Sequence, residues 1–271
     1  HMPRTARQPS KSKIYHIMFR GNELKNIFFD VEDRLKFLQL LDEKALDENF
    51  TVYAYCLMDN HVHILLYGEH ENLSRLVKRI NTSYVYYFNK KQSRVGHLFH
   101  DRFKSQPVET DAYLLAVVRY IHNNPVKAGM VADPLDYRWS SYRSYADYPR
   151  ISYSCLDPLY ILKMFSENIS EAKKLFLNFS KQQEEKNLKI IDIDENEMRS
   201  KDIIGEAAAK SFVDKYLQMK GIQYDCLREN RYKSIRNELI SELRKKSNLS
   251  IRQIASLFGV SRGVVSRIRK V

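Results

Sequence analysis

"TVYAYCLMDNHVHILLYG", residues 51–68, is the stretch on which the fold turns. Its halves, TVYAYCLM and HVHILLYG, are rich in β-branched and aromatic residues, and Asp59 and Asn60 between them favour a turn. The pattern predicts two antiparallel strands in a hairpin. Side chains alternate between the faces of a strand, so His61 and His63 share one face about 7 Å apart by backbone rise, while Val62 and Ile64 face the other way. Two imidazoles so placed can converge on a divalent cation and leave it open to substrate oxygens. A histidine pair that merely packs is the alternative.

The elements around the hairpin follow from periodicity. KIYHIMFR (13–20) alternates as a first strand, and residues 31–50 repeat apolar side chains at helical spacing through Leu35, Leu38, Leu41 and Leu46. After the hairpin, Leu73, Leu76, Val77, Ile80, Tyr84, Tyr87 and Phe88 form the stripe of a second helix. VGHLFHDRFKSQPVE (95–109) mixes Arg102 and Lys104 with Phe99 and Phe103, which suits an edge strand or a nucleic-acid surface. His97 and His100 in it read as DNA-touching or packing residues rather than a second metal site. Thr110-Asp111 offers an N-cap for a third helix, whose end Pro125 is expected to force near Asn124.

These elements predict an α+β domain over residues 10–150, with a mostly antiparallel sheet and helices stacked on one face. Tyr137, Trp139 and Tyr142 read as an aromatic cluster closing it. Residues 151–230 are polar and helix-prone and read as a helical connector, with KQQEEKNLK (181–189) exposed. Residues 231–271 carry eleven Lys and Arg against two acids, Glu238 and Glu242. In that segment LSIRQIASLFGVSRGVVSRIRK reads as a helix-turn-helix DNA-binding domain. Ile254, Ala255 and Leu257 or Phe258 pack inside, Gly259 makes the turn, Ser261 caps the second helix, and Val264, Val265 and Ile268 hold it down. Arg262, Ser266, Arg267 and Arg269 face outward.

The bulk numbers agree. Lys and Arg number 45 against 33 Asp and Glu, a formal charge of +12, which points to an anionic partner, nucleic acid first; a ribosomal or membrane-surface site fits charge alone as well. No apolar run is long enough to span a bilayer. The three cysteines, Cys56, Cys155 and Cys226, give neither a disulfide framework nor a CxxC knuckle, so a reducing, cytoplasmic setting is expected. His1-Met2 reads as the remnant of an expression tag, and no signal-peptide core follows it.

The third helix supplies the remaining chemistry. Tyr120 and Asn124 stand four apart on one face, with His122 on nearly the opposite side. The Asn124 amide oxygen is a hard donor that could join the two histidines, although Pro125 weakens the spacing argument. Tyr113 is the rival nucleophile, about two turns from the ligand position.

MDNHVHILL, GHLFHDRFKSQPVE, AYLLAVVRYIHNNPVKAGMV and WSSYRSY, in this order, resemble the IS200-like single-tyrosine transposases, especially the branch associated with repetitive extragenic palindromes. The family is one of the HUH nucleases, named for histidine, hydrophobic, histidine, as His61, Val62 and His63 stand here. The resemblance implies a ferredoxin-like or RRM-like fold, Tyr120 as the catalytic nucleophile, and His61, His63 and Asn124 as ligands of Mg²⁺ or Mn²⁺. Insertion-sequence relatives often carry glutamine at the position of Asn124. It further implies cleavage and rejoining of single-stranded DNA, with hairpin-forming repeats as the substrate, through a 5′-phosphotyrosine. A phenol with an ordinary pKa near 10 needs the metal or a neighbouring cation to favour its phenolate; Lys104, Arg102 and Arg119 are the sequence candidates for that cation and also expected DNA contacts. The C-terminal module would read duplex DNA, making the protein bacterial and nucleoid-associated; monomer and homodimer both stay open. Two rivals remain, a non-catalytic DNA-binding regulator that keeps the fold as a hairpin-binding platform, and a metal-dependent phosphodiesterase with a water nucleophile.

Overall fold

A computed structural model describes residues 7–100, 102–146, 153–182, 189–192, 203, 205–247 and 249–268. Two compact units divide the chain, one of His1–Asn22 with Asn26–Asp192, the other of Glu23–Lys25 with Ile193–Val271.

The first unit runs β1 (Ile14–Arg20), α1 (Val31–Asp47), β2 (Thr51–Leu57), β3 (His61–Tyr67), α2 (His70–Lys91), β4 (Lys104–Pro107) and α3 (Asp111–Lys127), followed by the shorter α4 (Pro158–Lys163) and α5 (Ile169–Ser180). Its four strands are ordered β2-β3-β1-β4 and every neighbouring pair is antiparallel, which is the ferredoxin-like arrangement of a βαββαβ chain. The expected hairpin is β2–β3, closed by Met58 N–H donating to His61 O at 2.9 Å. Gly68 ends β3 where a Cβ would lie 2.2 Å from the Phe50 ring, so only glycine fits without moving that ring.

Helices cover both faces of the sheet rather than one. Phe19 packs at a tilt against Phe37 of α1 and Tyr15 against His70 of α2, while His16, on the opposite face, meets Tyr120 of α3. The pleat dictates this split, because neighbours along β1 point to opposite sides and both sides are buried. On α1 the buried apolar residues are Phe37, Leu38, Leu40, Leu41 and Ala45; Leu35 and Leu46, expected in the stripe, are exposed. On α2 the expected stripe is buried except for Tyr87, whose hydroxyl reaches Asp33 at 3.2 Å. Tyr137, Trp139 and Tyr142 lie in the core, with Tyr137 OH donating to Leu57 O at 2.7 Å.

Pro125 does not end α3, which continues to Lys127. The proline costs one backbone donor, but Ala128 N–H still bonds Asn124 O at 2.9 Å and Met130 N–H bonds Pro125 O at 2.9 Å, so the last turn keeps its own hydrogen bonds. Asn124 therefore stays helical and keeps its place one turn beyond Tyr120.

The described part of the expected connector falls into two different cores. Ile161, Leu162, Ala172 and Phe176 join the core of the first unit, and Phe176 stacks on Tyr145 with centroids 4.5 Å apart. The cause is a buried stripe four residues apart on α5, Ala172, Phe176 and Ser180, hidden in a polar sequence. α6 (Gly205–Lys220) instead shares a core with α7 (Lys233–Lys246), α8 (Ile251–Phe258) and α9 (Arg262–Arg267) through Val213, Leu217, Leu239, Leu243, Phe258 and Val265. Most of KQQEEKNLK, residues 183–188, lies outside the described residues.

In this second unit Ser250 and Gln253 form a reciprocal capping box at the start of α8, and Gly259 closes it at φ 61°. Ile254, Ala255 and Phe258 are buried as expected. Ser261 precedes α9 but makes no side-chain cap bond; its carbonyl accepts from Val264 N–H at 3.0 Å instead. Arg244 donates to the carbonyls of Val265, at 3.0 Å, and Ile268, tying down the end of α9. Among the described residues no helix is long and apolar enough to cross a membrane, and all three cysteines are free.

His122 joins α3 to the rest of the first core. Its Nε2 shares a 2.8 Å hydrogen bond with Ser141 Oγ, and its ring packs on Tyr142, Tyr145 and Phe176. Burial lowers its pKa to about 3, and burial together with neighbouring His63 puts His16 well below the usual histidine value. The unfolded chain protonates both rings below about pH 6.5, whereas the folded chain resists. Their contribution to stability is thus complete above that pH and is lost as pH falls toward 3. Urea unfolding of the metal-free protein should show stability declining below pH 6.5 by up to about 1.4 kcal/mol per pH unit for each such ring. A flat profile from pH 7.5 to 4.5 would contradict the burial argument.

Candidate active site

The β1–β3 register decides which side chains meet. Met18 pairs with His63 and Arg20 with His61, so His16, Met18 and Arg20 share a face with both histidines of the hairpin. On the edge strand Gln106 lies opposite His16 and Lys104 opposite Met18, extending the same face. α3 crosses this face.

His61 and His63 come together as expected, with ring centroids 5.0 Å apart and ring planes at 87°. The Asn60 carboxamide oxygen lies 2.7 Å from His61 Nδ1 and fixes the proton there. His61 Nε2 is then a buried lone pair that makes no well-formed hydrogen bond among the described residues. Burial first, then His63, lowers the His61 pKa to about 3, against the opposing effects of Asp192 and the Asn124 side chain. The ring is neutral at physiological pH, as a metal ligand must be.

His63 is fully buried, and its Nδ1 shares a 2.9 Å hydrogen bond with Nε2 of His16. With the proton on His63 Nδ1 donated to His16, His63 Nε2 faces the site as an acceptor. Asn124 approaches that nitrogen to 3.4 Å through its carboxamide, and rotation of the amide by half a turn offers the oxygen to the same point. Tyr120 stands beside both imidazoles, 5.5 Å from His63 and 6.2 Å from His16 between ring centroids, both edge-on. His61, His63, Asn124 and Tyr120 therefore surround one point, and the orphaned His61 nitrogen with its neutral neighbours fits a divalent cation.

Three further groups reach this place that sequence reasoning did not select. His16 backs His63. Lys127 holds its ammonium 4.5 Å from the Tyr120 ring centroid, two turns along the same helix face, a spacing readable in the sequence. Asp192 brings a carboxylate oxygen to 3.7 Å from His63 Nε2, and one donor atom each from His61, His63 and Asp192 lie within 4.8 Å of one another. No local pattern could have signalled Asp192.

The expected DNA contacts divide. Lys104 lies on the site face and donates to Asp192 O at 3.0 Å. Arg102 is exposed beside it in sequence. Arg119 is not at the surface: it is buried, its guanidinium 4.5 Å from the Phe179 ring centroid, because its position on α3 turns toward α5. Tyr113 lies apart from the cluster and donates to Lys189 O at 3.1 Å. His97 and His100 are exposed, flanking Leu98, which is buried, and Phe99, which packs on Phe19. In the second unit Arg262, Ser266 and Arg267 are exposed on α9, while Arg269 lies outside the described residues.

Residues 10–124 match the family model described as "Transposase IS200 like". Among solved structures, a REP-associated tyrosine transposase bound to a REP hairpin is similar at TM-score 0.48 and 17% identity, over 57% of this chain and 96% of the other. A putative transposase from Deinococcus radiodurans R1 is similar at TM-score 0.32 and 16% identity, over 45% and 97%. No curated protein matches this chain.

Replacing His16 with leucine keeps its bulk but removes the partner of His63 Nδ1. Because partners behind a ligand orient it, the apparent Kd for Mn²⁺ should rise about 10- to 100-fold, read by calorimetry, with the far-ultraviolet circular dichroism unchanged. Unaltered Mn²⁺ affinity would show that His16 only fills space.

Proposed function

We propose that the first unit of this chain, whose residues 10–124 match the IS200-like transposase model, cleaves and rejoins single-stranded DNA with Tyr120 as nucleophile. The observation that carries the reading is the convergence of Tyr120 and Asn124 from α3 on His61 and His63 from β3. Hairpin-forming repeats are the substrate that the family resemblance suggests.

His61, His63 and Asn124 would hold Mg²⁺ or Mn²⁺. When bound, the ion supplies polarisation of a non-bridging phosphate oxygen and neutralises charge gathering there. Asn60 and His16 keep the two imidazole lone pairs turned inward. Tyr120 attacks phosphorus through its phenolic oxygen, forming a 5′-phosphotyrosine and releasing a 3′-hydroxyl. Lys127, beside the Tyr120 ring, favours negative charge on that oxygen as it attacks. The new ester keeps the energy of the broken phosphodiester, so an incoming 3′-hydroxyl can displace Tyr120 and rejoin DNA without ATP. This distinguishes strand transfer from hydrolysis by water and from a regulator that only binds.

Tyr120→Phe should abolish the covalent protein–DNA adduct on a denaturing gel while leaving hairpin binding within about twofold, since one hydroxyl is lost from a large contact. Cleavage that persists in this variant would assign the nucleophile elsewhere.

We read α8, the turn at Gly259–Ser261 and α9 as a helix-turn-helix that binds duplex DNA through Arg262 and Arg267; the charge of the last 41 residues supports it. The double variant Arg262→Ala, Arg267→Ala should weaken duplex binding and flatten its logarithmic salt dependence by roughly one to two units. An unchanged salt slope would exclude these arginines as phosphate contacts.

A further inference from the structure

Residues 189–192 form a short strap along β4, held by side chains that the proposed chemistry does not use. Gln106 grips it twice: its Nε2 donates to Lys189 O at 2.8 Å, and its Oε1 accepts from Ile191 N–H at 3.0 Å. Tyr113 OH donates to Lys189 O at 3.1 Å, and Lys104 Nζ donates to Asp192 O at 3.0 Å. Gln106 and Lys104 belong to the face of the sheet that carries the histidines, so their grip leads the strap over the site. Its last residue places a carboxylate oxygen 3.7 Å from His63 Nε2.

We propose that Asp192 is a ligand of the same divalent cation, brought to the histidine pair by this strap; the inference rests on the metal-centre reading given above. Donors that share an ion at about 2.1 Å each must lie roughly 3 to 4 Å apart, and the His63–Asp192 pair already does. The charge argument points the same way. Two imidazoles and a carboxamide are neutral and leave the full double charge of the ion among buried groups, whereas a carboxylate halves it. Mg²⁺ and Mn²⁺ are hard cations that favour an anionic oxygen over nitrogen. The Asp192 side chain is 45% exposed while that of His63 is wholly buried, so Asp192 is the ligand at the solvent side and the one a phosphate oxygen can replace.

Mn²⁺ titration of the full chain without DNA, followed by electron paramagnetic resonance, tests this. Asp192→Ala should raise the Kd about tenfold or more, and Gln106→Ala, which cuts two bonds to the strap, should raise it in the same direction. Asp192 is exposed enough for its loss to leave the fold intact, which circular dichroism checks. If Asp192→Ala binds Mn²⁺ as the unaltered protein does while His61→Ala does not, the inference is overturned and the histidine centre stands. If the unaltered protein binds no Mn²⁺, or His61→Ala binds equally well, the metal centre and the inference fall together.

Discussion

The pairing of β1 with β3 is the constraint from which the site follows. These are the two central strands of the sheet, and their register sets His16 and Arg20 on the same face as His61 and His63. A slip of one residue would turn the imidazoles of one strand to the opposite face, into the aromatic packing around Phe19, Phe28 and Phe37. The apolar face excludes that slip, because Ile17 and Phe19 on β1 and Val62 and Ile64 on β3 would be forced among polar groups. The hydrophobic face therefore fixes the register, and the register assembles the chemistry.

Burying several imidazoles is costly unless each has a defined partner or purpose. His63 has His16, His61 has Asn60, and His122 has Ser141. What distinguishes the first pair from His122 is the direction of the remaining nitrogens. His122 lies among Tyr142, Tyr145 and Phe176, whereas His63 turns its second nitrogen toward Asn124 and Asp192, and His61 brings a donor atom to the same cluster. Burial is common to all three rings; convergence sets His61 and His63 apart.

Much of this was legible in the sequence because it depends on short-range periodicity. The hairpin, the buried stripe of α2 and the shared face of Tyr120 and Asn124 all follow from spacings of two or four residues. The α1 stripe was half legible: Leu38 and Leu41 are buried as expected, but leucines occur on both sides of that helix, and only packing selects Phe37 and Ala45 over Leu35 and Leu46. Arg119 looked like a surface cation because charge is a poor guide where a long side chain can lie against an aromatic ring, as this one does on Phe179. His16 was passed over because its partner is set by strand register, and Asp192 because it reaches the site from 129 residues beyond His63, across the core that α4 and α5 help to close. The polar texture of residues 153–182 hid a buried face built on Ala172 and Phe176.

The site combines rigid and adjustable parts, and the division follows their supports. Both imidazoles lie on a central strand, and Tyr120 and Asn124 on a helix whose last turn survives Pro125, so all four side chains rest on largely buried elements. Lys127 and Asp192 reach the same place differently, one by a flexible ammonium stem and the other by a strap that side chains hold from below. Under the proposed chemistry, covalent transfer to Tyr120 and back would bring the phenol close to phosphorus twice, once when attacking and once when displaced. In that proposal, fixed geometry at the histidines with exchangeable charge at the rim would serve both passes, because the rim would yield to an incoming phosphate while the groups behind it keep their aim.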